Sequence, residues 1–251
     1  MNLKLFRKRD FITVGFILIF SAAAVYMFYV ILKPIEVLPI YQPAEVNEKL
    51  VDSSIIHVAK YHKISDFKLT NQNGKEITQA DYNDKIYVAD FFFTTCPTIC
   101  PVMTKNMAYL QQKLSIFPNV RFLSHTVDPY NDSPERFLEY IEEMKQNNVS
   151  IDLSNWDFVT GDIDEIYNIA KSYFVNVSPD SLAPGGFLHS EYFVLIDKEG
   201  RVRSGIDKQG NVLGVYDGTR DSHMKDLVND IKVLMAEYKR PKKTKRKWQK
   251  D

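Results

Sequence analysis

The chain has 251 residues, 45% hydrophobic, 25% charged and 13% aromatic, with 32 basic and 32 acidic side chains. That composition excludes a collagen-like, low-complexity or wholly disordered chain, and the length allows one or two domains. Two cysteines are too few for a disulfide-stapled miniprotein or for a four-thiolate zinc or iron–sulfur site.

The balanced charge is unevenly placed. Lys4, Arg7, Lys8 and Arg9 against Asp10 give residues 1–10 a net charge of +3, and residues 239–251 carry +7. A zero total leaves about −10 for the rest, which argues against a nucleic-acid-binding body.

Phe11 to Leu32 is an uncharged apolar run. As a helix it would span ~33 Å, enough for the ~30 Å hydrocarbon core of a bilayer. The basic stub 1–10 before it should stay cytoplasmic, placing everything after residue 33 on the far side. A cleaved signal peptide, ending near Ser21-Ala22-Ala23-Ala24, is the competing reading. The run continues past those small residues to Leu32, as an anchor would. The expectation is a single-pass protein of a bacterial inner membrane, with its domain in the periplasm or an equivalent exoplasmic space. Thiols there can be oxidised.

Residues 33–61, with Pro34, Pro39 and Pro43, read as a tether. Alternation over Asp66–Thr70, an Asn73-Gly74 turn and Glu76-Ile77-Thr78 predict a hairpin. Lys85–Thr94, mostly apolar and including Phe91-Phe92-Phe93, predicts a buried central strand. Met103, Met107, Leu110 and Leu114 have helical spacing. Val120–Val127 reads as a strand, and Asp132-Ser133-Pro134-Glu135 as a helix start for a stripe of Phe137, Leu138, Ile141 and Met144. A strand at Trp156–Thr160 and a helix at Ile163–Phe174 follow. Glu191–Asp197, a turn at Glu199-Gly200 and Arg201–Ile206 predict a second hairpin, and Met224–Tyr238 a closing amphipathic helix. Strands alternating with helices give an α/β domain over 62–238, with a central sheet flanked by helices. Residues 239–251 form a basic tail.

The chemistry concentrates in Thr94-Thr95-Cys96-Pro97-Thr98-Ile99-Cys100-Pro101, between the strand and the helix. Cysteines four apart share one side of a helical turn, where two thiolates can chelate one metal ion or close into a disulfide. Pro101 suits a first helical position, so both sulfurs are expected at a helix N-terminus, where the dipole lowers a thiol's pKa. Soft sulfur ligands favour Cu(I) or zinc, and one added imidazole suits copper.

Five histidines compete to supply it. His57 precedes the domain, His62 sits at its edge, His223 opens the last helix, and His125 lies inside a strand as a structural or wall residue. His189 follows Ala183-Pro184-Gly185-Gly186 and leads into the strand at Tyr192–Ile196. In a thioredoxin-like layout that entry faces the cysteine turn, so His189 is the candidate third ligand. Asp128, in Asp128-Pro129-Tyr130-Asn131-Asp132-Ser133-Pro134, ends a strand on the same sheet edge. It is a candidate to line the site or meet a partner, against a plain loop role. Asp132 reads as a helix cap, and Met103 and Met107 as core rather than ligands.

TTCPTICP, then VDPYNDSP, then FLHSEYFVLIDKEG together resemble the Sco/SenC family of membrane-anchored copper proteins over most of 62–238. The resemblance implies a thioredoxin-like fold, with one copper ion per chain held by Cys96, Cys100 and His189. It also implies a role in assembling the dinuclear copper centre of cytochrome c oxidase, with subunit II or another copper-accepting protein as partner. Three features depart from the pattern: Ser133 stands where Thr is usual, Leu188 precedes the histidine where Asp is common, and the basic tail is long.

The leading reading is therefore a metallochaperone rather than an enzyme. The alternative is a thiol–disulfide reductase in which Cys96 attacks and Cys100 resolves, although its motifs usually have a two-residue spacer. A third reading is a tethered binding module whose tail attracts anionic lipid.

Overall fold

The structure is a computed structural model that describes residues 8–32, 37–41, 62–179, 187–188, 191–206, 209 and 212–239, with the backbone alone for 8–12, 30–32, 178–179 and 187–188. Residues 1–36 and 37–251 are separate compact units. In the first, α1 (Lys8–Leu32) is a 25-residue helix, and the large apolar side chains from Val14 to Tyr29 are exposed. Among the described residues no helix is long and apolar enough to cross a membrane.

In the second unit the chain runs β1 (Lys68–Asn71), β2 (Glu76–Thr78), a 3-10 turn (Gln79–Tyr82), β3 (Ile86–Phe92), α2 (Ile99–Lys113), β4 (Val120–Thr126) and α3 (Pro134–Gln146). It continues through β5 (Trp156–Thr160), α4 (Ile163–Ser172), β6 (Ser178–Pro179), β7 (Phe187–Leu188), β8 (Tyr192–Ile196), β9 (Val202–Arg203), β10 (Tyr216–Asp217) and α5 (Asp221–Tyr238). The eight-stranded sheet has the order β10-β8-β3-β4-β5-β1-β2, with β9 also on β8. The core strands β3, β4 and β5 are parallel, while β8 and β1 run against their neighbours. β6 and β7 make a separate two-stranded ladder.

Every residue of β3 is buried, as its unbroken apolar run requires of a strand covered on both faces. Successive side chains show the two layers. Phe92 meets Phe137 and Tyr140 of α3, whereas Phe91 meets His125 and, beyond α4, Tyr173. α5 packs on α2 and β10. Fully buried aromatics, among them Trp156 stacked on Phe158 at 4.8 Å, fill the interior, each worth roughly 1.5–3 kcal/mol relative to exposure. This is the mixed α/β sheet-and-helix architecture expected from the sequence.

Part of the stretch read as a tether is docked. The Tyr41 N–H donates to the Val202 carbonyl at 2.9 Å, and Ile40 bridges Arg203. Arg203, 1% exposed, donates to the Leu38 carbonyl (2.7 Å), Glu237 (2.6 Å) and Asp197 (3.0 Å). Against the desolvation that burial imposes, hydrogen bonds from Arg201 and Arg203 hold the Asp197 carboxyl below its usual range. Tyr41 rests against Gly214, where φ is +79° and an added Cβ would lie 2.5 Å from the ring, so the position favours glycine.

Candidate metal centre

β3 delivers the chain to the sheet edge where the parallel strands end, and the cysteine turn begins there. The Cys96 N–H returns to the Phe93 carbonyl (3.2 Å), bending the chain out of the strand. Thr98 caps α2 without a side-chain hydrogen bond, and its Oγ1 lies 3.8 Å from Cys96 Sγ. Cys100 and Pro101 are the second and third residues of α2. Pro101 thus sits deeper than the first position suggested by sequence, yet within the turn whose N–H groups have no helical partner.

Cys96 and Cys100 are thiols, not a disulfide, at 6% and 0% exposure. Cys100 lies on the buried face of α2 with Met103, Met107 and Leu110, so both methionines are core residues. A hydrogen bond with Cys96, followed by burial, pushes the Cys100 thiol far above its ordinary range, and the charge of Asp90 on β3 adds to this. The expectation that the helix dipole would lower both thiols is corrected at Cys100. A second sulfur at hydrogen-bonding distance and the loss of water outweigh the roughly half-charge of a helix end. Chemically, two adjacent sulfurs suit a thiophilic ion, whose binding displaces the proton that the Cys96 hydrogen bond and burial hold on Cys100.

β4 ends beside β3 on the same edge. Its following loop places Asp128 (3% exposed) with its backbone N–H on Thr126 Oγ1 (2.9 Å) and its carboxylate accepting from the Asn131 amide (2.8 Å). Asp132, read from sequence as the cap of α3, has another place. Ser133 is the N-cap, accepting from the Arg136 N–H. Asp132, fully buried, accepts from the Thr94 N–H (3.1 Å), the Thr94 hydroxyl (2.5 Å) and the Thr126 hydroxyl (2.5 Å). Desolvation raises its carboxyl pKa, opposed by these hydrogen bonds. Arg136 Nε donates to Thr94 Oγ1 at 3.1 Å. Sequence reasoning missed this cluster; the one available signal was threonine at both strand ends.

The described histidines are engaged elsewhere. His62 Nε2 is 2.6 Å from the Ser172 carbonyl. His223 Nδ1 accepts from the Asp217 N–H at 2.8 Å. His125 lies in the core, stacked on Phe91 at 4.7 Å, and burial lowers its pKa to about 4. His57 and His189 lie outside the described residues. Among the described residues no group of three or more His, Cys, Asp and Glu side chains could hold a metal ion. What is described on either side of position 189 is backbone pairing. Leu188 pairs with Ser178, and the Glu191 carbonyl accepts from the Gly218 N–H at 2.6 Å. The antiparallel register of β8 on β3, with Ala89 opposite Val194, brings the start of β8 to the edge where the cysteine turn begins.

A family model described as SCO1/SenC matches residues 57–221. The SCO1 protein homolog of Bacillus subtilis is 31% identical over 173 residues, covering 68% of this chain and 82% of the relative. The chain spans 57% and 51% of two longer mitochondrial relatives of Saccharomyces cerevisiae. Among solved structures, a protein described as BsSco, "a member of the Sco family of cytochrome c oxidase assembly proteins" with a disulfide switch, aligns at TM-score 0.57. It is 31% identical, over 70% of this chain and 94% of that one. Yeast Sco1 with copper bound aligns at TM-score 0.52 and 25% identity, over 72% of this chain and 97% of that one.

Proposed function

The chain belongs to the SCO1/SenC family, and from that premise we propose that it is a membrane-anchored copper chaperone for cytochrome c oxidase assembly. Cys96 and Cys100, with His189 as third ligand, hold one copper ion as cargo. They pass it by ligand exchange to a copper-accepting protein, with oxidase subunit II as the acceptor. The observation that carries this reading is the pair itself: of the chain's two cysteines, Cys96 lies in the turn just before α2 and is a hydrogen-bond partner of Cys100 in the first turn of α2. Thiols so placed form a two-sulfur seat for a soft cation. A low-coordinate site suits transfer, since an incoming thiolate can bind before an old ligand leaves. Asp128, two residues beyond β4 on the same edge and buried, lines the loop beside the cysteine turn. Anchoring is supported by the uncharged Phe11–Leu32 run and the basic residues before it, which also favour an inner-membrane protein whose domain lies in the periplasm.

The test is to reduce the full chain in detergent, add Cu(I) and count retained copper. One ion per chain is expected in the wild type, almost none in Cys96→Ser or Cys100→Ser, and an affinity lower by about tenfold or more in His189→Ala. The closeness of the two sulfurs also favours a second reading, thiol–disulfide exchange in which Cys96 attacks and Cys100 resolves. Insulin-reducing turnover without copper retention would establish that reading instead.

A further inference from the structure

We propose that Asp132 is the positioning residue of the sulfur turn, one buried carboxylate tying the turn that carries Cys96 and Cys100 to the loop that carries Asp128. The proposal rests on reading that turn as the working site, and its test separates the two.

Thr94 stands two residues before Cys96, and Thr126 two residues before Asp128. Asp132 accepts hydrogen bonds from both threonine hydroxyls and from the Thr94 N–H. The Thr126 hydroxyl in turn accepts from the Asp128 N–H, and Arg136 Nε donates to the Thr94 hydroxyl. Three donors converging on one carboxylate match an acceptor-only group, whereas an amide would turn an NH2 toward one of them. Its burial has a desolvation cost that a mere cap would avoid at the surface. Capping is also already done, because Ser133 caps α3. The fixed element downstream is short: from Thr94 the chain reaches Cys96 through Thr95, and the Cys96 N–H is held by Phe93. Displacing Thr94 therefore displaces the first sulfur relative to the second, which rides on α2. Reactions and chelation that need two groups in near contact lose about tenfold or more from sub-ångström misplacement.

The experiment compares Asp132→Asn, Thr94→Val and Ser133→Ala with wild type in the full chain. The metal-free protein is equilibrated with dithiothreitol. Protein disulfide plus dithiothreitol gives protein dithiol plus cyclic oxidised dithiothreitol, two electrons and two protons passing to the protein sulfurs. The equilibrium constant reports how readily Cys96 and Cys100 meet. Copper affinity is read separately by competition with a chromophoric Cu(I) chelator, and folding by the thermal midpoint. In Asp132→Asn the disulfide is expected to become less stable by about tenfold, and in Thr94→Val by about threefold, with copper affinity falling in parallel. Ser133→Ala, which removes only the helix cap, should lower the thermal midpoint and leave the disulfide equilibrium within twofold. Equilibria unchanged in both Asp132→Asn and Thr94→Val, or shifted as far by Ser133→Ala, would overturn the proposal. Should Asp132→Asn not fold, Thr94→Val decides alone. A wild type that retains no copper but shows the expected disulfide shifts would sink the chaperone reading and leave the positioning role standing.

Discussion

His125 is enclosed by Phe91, Tyr173 and Phe67, with ring centroids at 4.7, 5.3 and 6.1 Å. Its Nε2 has no hydrogen-bond partner among the described residues. Burial therefore holds it neutral, with a pKa lowered from 6.5 to about 4. An unfolded chain takes up this proton near pH 6.5, whereas the folded one resists until about pH 4. Between those values the unfolded state binds more protons, so stability falls as the pH drops through the window and is unaffected above it. The loss attributable to this group by pH 4.5 is about 2–3 kcal/mol. Phenylalanine fits the same aromatic surroundings and carries no proton. Urea unfolding at pH 7 and pH 4.5 should show His125→Phe losing less stability than wild type by that amount; equal losses would mean that another group is responsible. Asp132 is also a fully buried polar side chain, but in the loop after β4 rather than within the strand. The carboxylate has three donors converging on it and acts through them, while the imidazole acts mainly through its shape.

At the level of elements, strands and helices with long patterns were legible. β3 announced itself by an unbroken apolar run, and α3 by its stripe and its Ser-Pro-Glu start. What sequence could not show was structure created by distant partners. β10 is two residues, Tyr216 and Asp217, that become a strand because Phe193 and Tyr192 lie opposite. The strap at 37–41, in a proline-bearing stretch with little periodicity, is held by Arg203, whose guanidinium lies 165 positions away from Leu38. The cysteine pair was legible because its parts are four residues apart. The Asp132 clamp was not, because its partner Thr94 is 38 positions away and the local Asp-Ser-Pro-Glu string is equally a capping signature. The strap gives the element-scale test. Arg203→Met keeps much of the side chain's bulk but leaves the Leu38 carbonyl without its side-chain donor and Asp197 with Arg201 as its remaining guanidinium partner, a loss of about 1–3 kcal/mol by the usual cost of an unsatisfied buried polar group. Hydrogen exchange should show the Tyr41 N–H, now bonded to Val202, losing protection ahead of the β3 amides. Retained protection at Tyr41 would show that the backbone bridge alone holds the strap.

For the whole molecule, the division at residue 36 has an energetic meaning. The body buries its own core, including Leu38 and Tyr41 of the strap. The first unit has the opposite character: its large apolar side chains, such as Phe16, Ile19 and Val25 at about 70% exposure, have no core of their own. Exposed apolar area of this extent demands a cover, and the proposed cover is lipid. Two consequences follow together. A chain starting at Val37 should be soluble and melt within ~2 °C of the full-length protein in mild detergent, since it keeps every residue of the described core. The full-length chain should stay with the membrane pellet through alkaline carbonate washing, which strips peripheral proteins but not a spanning helix. Release by carbonate would refute the anchor while leaving the copper site untouched. A lower melting midpoint for the shortened chain would instead show that the first unit contributes to the body's stability.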